Sequence, residues 1–115
     1  MGAANVIEQR WSQRRTVSLD VDVFNGENLV ANCRTRDVGL GGVFLEVADA
    51  TLDTDDEVDL FFTLGGKKQV FRYKLKAKVV RMMSEGVGLM FKDFDTNSFR
   101  SLQEIMRYSA TNAAV

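Results

Sequence analysis

The chain has 115 residues and a mass of 12.9 kDa, with 45% hydrophobic residues, 27% charged residues and a formal net charge of −1. This is one domain's worth of chain, large enough to fold around its own core without a disulfide or metal, and its charge balance argues against a general nucleic-acid coat. With no His and a single Cys, it cannot build a Ser-His-Asp or Cys-His nucleophile or a zinc site of ordinary ligands, so no catalytic residue, metal or cofactor is expected.

In chain order, the opening MGAANVIEQRW lacks the apolar core of a secretory signal, and no apolar run approaches the roughly 20 residues of a membrane span. The unpaired Cys33 fits a reducing compartment, so the expected location is the cytoplasm. Residues 1–15 read as a flexible polar arm, within which Arg10, Trp11, Arg14 and Arg15 fall inside six residues. Guanidinium forks suit phosphate or the O6/N7 edge of guanine, and Trp or Arg planes stack on purines; the plain alternative is a solvated arm.

Val17, Leu19, Val21 and Val23 alternate with polar residues, which predicts a half-buried strand ending at the Asn25-Gly26 turn. A second strand is predicted from about Leu29 to Arg36, then the glycine-rich turn Asp37–Gly42, then a strand through Val43, Leu45 and Val47. Val58–Leu64 and Phe71–Val79 alternate on either side of the Gly65–Lys68 hairpin tip, and Gly86–Phe91 is a short strand. Phe99, Leu102, Ile105, Met106 and Ser109 then recur at helical spacing. Asp95 or Thr96 serves as N-cap, and Arg100 and Glu104 are set to pair. The fold class predicted is all-β with one terminal helix: a six-stranded antiparallel barrel over 16–110, a helix at 96–109 that plugs or flanks it, and a disordered tail at 111–115.

Three features outside the arm invite a functional reading. The acidic run Asp53–Glu57 lacks the central Gly and distal Glu of a calcium loop and reads as a solvated turn. Arg72, Lys74, Lys76 and Lys78 lie roughly 6.6 Å apart on one strand face. That stripe could grip a phosphate backbone, but it reads better as a wet face opposed by Glu46 and Asp59. Phe44 and Phe61 share that outward parity, which makes them either a partner patch or, the cheaper explanation, the surface under the helix.

Arg10-Trp-Ser-Gln-Arg14 before the first strand, and Asp37-x-Gly39-x-x-Gly42 at the end of the second, resemble the two motifs of the PilZ domain family, which binds the bacterial second messenger cyclic di-GMP. The likeness runs over about residues 8 to 108, through Val43-Phe-Leu, Lys78-Val-Val-Arg and Gly86-Val-Gly-Leu-Met-Phe91. It implies a PilZ-like split or Greek-key barrel in which Arg10 and Arg14 hold guanine edges and phosphates. Asp37 would accept from a guanine's N–H groups, and Gly42 would allow close approach of ligand to backbone. Arg15, Arg36 and Trp11 would be helpers. The family carries Ser where this chain has Gly39; a lost neutral hydrogen bond costs about 0.5–1.5 kcal/mol, so binding is expected to be weakened rather than abolished.

The function implied is a single-domain cyclic di-GMP receptor whose arm reorders on binding and acts on a partner protein, in motility, pilus, biofilm or exopolysaccharide control. No nucleic-acid partner, membrane insertion or enzyme activity is expected. The competing readings are a protein-interaction adaptor of the same family that binds no nucleotide, and a small nucleic-acid-binding barrel using the lysine stripe.

Overall fold

A computed structural model describes residues 14–47, 52–65, 69–93 and 95–113, so Arg10 and Trp11 lie outside the described residues. The strands are β1 (Arg14–Thr16), β2 (Asp20–Asn25), β3 (Asn28–Gly39), β4 (Gly42–Glu46), β5 (Glu57–Gly65), β6 (Val70–Met83) and β7 (Gly86–Phe91), followed by helix α1 (Thr96–Ala113). Six of them close in the order β3-β2-β5-β6-β7-β4, with β4 returning to β3, and every pairing is antiparallel. The predicted six-stranded barrel with a C-terminal helix is therefore the observed fold. An up-and-down barrel would pair β4 with β5. Here the two three-stranded meanders β2-β3-β4 and β5-β6-β7 join through β2–β5 and β4–β7, leaving a crossover from β4 to β5.

The alternating apolar positions point inward. Val21, Val23, Val38, Leu45, Leu60, Phe62, Leu75, Ala77, Val79 and Val87 are buried in one cluster. Leu102 and Ile105 of α1 belong to the same cluster, so the helix closes the barrel end where β5 finishes and β6 begins. Leu52, in the crossover, is buried in that cluster too. The Asn25-Gly26 turn forms as expected, with Gly26 at φ 65°.

Several expectations are corrected. The anticipated first strand is two pieces: β1 takes residues 14–16, the last two of the supposed flexible arm among them, and β2 starts only at Asp20. Residues 17–19 are held to β3 instead by Thr35, the one buried polar side chain among the described residues. Its hydroxyl donates to the Val17 carbonyl and accepts from the Leu19 amide at 2.9 Å. The helix runs through 111–113, into the stretch expected to be a disordered tail. Phe99 is 45% exposed and outside the core. Glu104 pairs with Arg107, not Arg100. The Asp95 carboxylate accepts from the Ser98 amide at 2.8 Å and is the N-cap.

Candidate ligand-binding site

The last residue of the first motif, Arg14, begins a strand that pairs with the strand carrying Asp37 and Gly39. β1 pairs with the end of β3, so that Arg14 is opposite Gly39, Arg15 opposite Val38 and Thr16 opposite Asp37. The Thr35 contacts described above, together with Arg34 donating to the Ser18 hydroxyl at 2.6 Å and carbonyl at 2.9 Å, fix the turn between β1 and β2 and with it this register. Arg15 lies opposite the buried Val38, on the other face of the ladder from Thr16 and Asp37.

A β-bulge explains how Arg36 and Asp37 reach the same surface. On β4, Leu45 and Phe44 are consecutive, but their partners on β3 are Thr35 and Asp37, so Arg36 is the extra residue. Thr35 and Val38 remain buried while both residues between them turn outward, the re-aiming that bulges produce. The Arg36 guanidinium sits 3.7 Å above the centre of the Phe44 ring, and its Nε is 3.3 Å from the Asp37 carboxylate.

From Asp37 the cross-strand pairing continues in a straight row. Asp37 opposes Phe44 on β4, Phe44 opposes Gly88 on β7, and Gly88 opposes Arg81 on β6. A second bulge interrupts β6 beside it, with Val80 the extra residue between Val79 and Arg81. Between the bulges lies an open trough of about 360 Å³ lined by Arg36, Asp37, Phe44, Val80, Arg81 and Gly88.

Gly42 has a packing reason to be glycine besides the close ligand approach expected of it. A Cβ there would stand 2.2 Å from the Leu89 carbonyl oxygen, so a bare α-carbon is what lets β4 pair this closely with β7. Phe44 is buried at the bottom of the trough beneath Arg36, and Phe61 packs edge-on against Phe24 with Arg72 above it. Neither aromatic is covered by the helix, because the helix occupies the barrel's end and these rings lie on its wall.

The other candidates resolve to ordinary surface chemistry. In the lysine stripe Arg72 pairs with Asp22 at 2.8 Å, Lys74 with Asp59 at 4.0 Å and Lys78 with Asp55 at 3.5 Å. Asp59 is the opposing carboxylate anticipated, but Glu46 is not; it faces Arg34 across β3–β4. Within Asp53–Glu57 the Asp56 carboxylate accepts from the Asp53 amide at 2.8 Å, which makes a turn. Glu57 bridges to Lys92 at 2.6 Å; that bond holds its carboxyl below the usual range and raises the Lys92 ammonium. Among the described residues no three His, Cys, Asp or Glu side chains cluster as metal ligands.

Sequence reasoning did not bring Phe44, Val80, Gly88 and Arg81 together with Asp37, as this trough does. The alternation Gly86-x-Gly88 inside a strand was the available signal, since glycine in a strand interior marks close approach by something else.

A family model described as the PilZ domain matches residues 8–108. Among solved structures the chain is similar to the PilZ domain of CeSA from a cellulose-synthesizing bacterium, with 21% identity, a TM-score of 0.67, and coverage of 82% of this chain and 94% of that one. It is also similar to the Bacillus subtilis inhibitor of motility MotI/DgrA, with 19% identity, a TM-score of 0.65, and coverage of 85% of this chain and 50% of that one. At these identities the two likenesses speak to the fold. A comparison with curated proteins gives no match.

Proposed function

The chain belongs to the PilZ domain family, and on that premise we propose that it is a cyclic di-GMP receptor that signals through a partner protein. The observation that carries this reading is the β1–β3 register: it sets the backbone of Arg14 against Gly39 and Thr16 against Asp37, so the two motifs share one ladder. Asp37 accepts from a guanine's ring N–H and amino group, two adjacent donors matched to one carboxylate. Arg14, with Arg10 from the preceding segment, supplies forked donors for phosphate and for the guanine O6/N7 edge. Arg36 assists from the bulge. No helix among the described residues is long and apolar enough to cross a membrane.

Ligand binding at β1 biases the position of everything N-terminal to it, and that is the switch offered to a partner. Calorimetric titration with cyclic di-GMP at fixed salt tests the reading. Saturable binding that Arg14→Ala weakens supports it. No heat at roughly several hundred micromolar ligand, with the fold intact, overturns it. Gly39 in the family's Ser position favours one second reading, a PilZ adaptor that engages its partner without nucleotide; the same titration separates the two.

A further inference from the structure

β7 leaves β6 before β6 is fully paired. Their ladder runs from Met83 opposite Gly86 to Ala77 opposite Phe91, and the Lys92 amide then donates to the Lys76 carbonyl at 2.9 Å. At Asp93 the backbone takes φ 55° and turns out of the ladder, and α1 starts at Thr96. β6 meanwhile stays paired with β5 as far back as Val70. Residues 70–75 of β6 therefore form an edge, with no strand on the β7 side among the described residues.

Two contacts fix which backbone groups that edge presents. Lys76 bonds toward β7, whereas the Val79 amide donates to the Asp56 carbonyl at 2.9 Å on the β5 side. Bonding direction alternates along a strand, so Arg72 and Lys74 aim their N–H and C=O groups at the open side. Between this edge and α1 lies a groove in two parts, both lined by Tyr73. One part, of about 450 Å³, runs between Lys74 and Lys76 and the helix start at Asn97 and Ser98. The other, of about 560 Å³, is lined by Leu64, Phe71 and Tyr108. Phe71 stacks beside Tyr73, with ring centres 6.4 Å apart, yet remains 46% exposed.

We propose that this groove docks an extended segment of a partner protein, with alternating acidic and apolar side chains, as a new strand on β6 in line with β7. The inference goes beyond the receptor reading, uses no residue of either motif, and stands or falls without cyclic di-GMP. The occupant's chemistry follows from the edge. Donors and acceptors repeating at strand spacing are matched by another extended backbone. Side chains of the added strand opposite Arg72 and Lys74 share the outer face with those cations and with Lys76. Arg72 and Lys74 each lean toward one carboxylate, Asp22 and Asp59, and Lys76 forms no salt bridge among the described residues. Acidic side chains are the complement there. The residues between them fall on the face of Phe71, Tyr73 and the buried Leu75, where apolar side chains belong.

The capped peptide Thr-Glu-Val-Glu-Phe-Thr, antiparallel to β6, sets its two Glu opposite Lys74 and Arg72 and its Val and Phe toward the aromatic part of the groove. Its Glu amides then point at β6 and its Val amide points away. Amide spectra of the 15N-labelled full chain are read for shifts and for exchange with water at about pH 7.5. The Arg72 and Lys74 amides should exchange rapidly in the protein alone, and should shift and become protected when the peptide is added. Methylating both Glu amides should abolish binding, whereas methylating the Val amide should leave it. Phe71→Ala and Lys74→Glu, both at exposed positions and checked by thermal melts, should each weaken binding by about fivefold or more. The proposal is overturned if about 1 mM peptide moves neither amide, or if binding ignores the methyl groups and both variants. Protection of both amides in the protein alone overturns it as well. If that protection rises with protein concentration, the occupant is a second copy; if it does not, the chain covers its own edge.

Discussion

Arg14 and Gly39 are direct partners in the β1–β3 ladder, so the final arginine of one motif sits across from the position where the other motif departs from its family. Serine at residue 39 would restore the hydroxyl that the family's second motif carries, on the strand that bears Asp37. Gly39→Ser is therefore expected to bind cyclic di-GMP as well as the unaltered protein or up to about tenfold more tightly, the worth of one added hydrogen bond. Calorimetry on both proteins decides it; a weaker complex would show that Gly39 is needed for clearance.

Arg14→Ala should weaken cyclic di-GMP binding by about tenfold or more, which corresponds to the loss of about 1–3 kcal/mol from one forked contact. Arg15→Ala should change it by less than about twofold, because its strand position opposite Val38 turns it to the other face. Comparable losses from both would mean that β1 does not keep this register in solution.

Thr35→Val keeps the shape of the core but removes the hydroxyl that serves both Val17 and Leu19. The Leu19 amide loses its partner, at a cost of about 1–3 kcal/mol of stability by urea unfolding. Ligand affinity should fall as well, since the same hydroxyl sets where β1 lies against Asp37. Lost stability with unchanged affinity would separate the two roles.

Gly42→Ala places a methyl group against the Leu89 carbonyl, and no side-chain rotation relieves a backbone clash. The β4–β7 pair must part, at about 1–3 kcal/mol or more in denaturant unfolding. Gly88→Ala, whose added Cβ meets its neighbours at ordinary distances, should unfold within about 0.5 kcal/mol of the original.

Much of this architecture was legible in the sequence because period-two alternation fixes which side chains face inward, and Val21, Leu60, Leu75 and Val87 each lie on the face their parity predicts. Parity is also where legibility ended. Each bulge inserts one residue and reverses the alternation beyond it, so Arg36–Asp37 and Val80–Arg81 could not be assigned to a common face from spacing alone. Strand order was hidden for a similar reason. Nothing local in β4 states that its second neighbour is β7, so the union of Phe44 with Gly88 and Arg81 depends on closure of the whole barrel.

Cys33, opposite Val21, provides a chemical test of the β2–β3 ladder. Burial first, then the charges of Asp20 and Asp22, push its thiol up to about 11. At about pH 8 the folded protein should react with iodoacetamide far more slowly than the urea-unfolded chain, because the thiolate is the nucleophile. The raised pKa also sets a sign for stability. Its contribution is complete below the unfolded value near 9.0 and declines as pH rises through 11, where the unfolded chain ionises first. Rapid labelling of the native protein would place the β2–β3 ladder open in solution.

At the other end of the chain, Asp95 sets the start of the helix that closes the barrel. Its carboxylate accepts from the Ser98 amide, and that bond holds its pKa below the ordinary 3.8. A depressed carboxyl stabilises the fold above its unfolded value, and this contribution is lost as pH falls through the folded one. Asp95→Asn keeps an oxygen at the N-cap but no charge, whereas Asp95→Ala removes both. The order of melting temperatures near neutral pH should be Asp, then Asn, then Ala. Followed from about pH 6 to about pH 2.5, the gap between Asp and Asn should close while the gap between Asn and Ala persists. A gap that stays constant would mean that the helix start draws its stability from the hydrogen bond alone, with no contribution from charge at the positive end of the helix dipole.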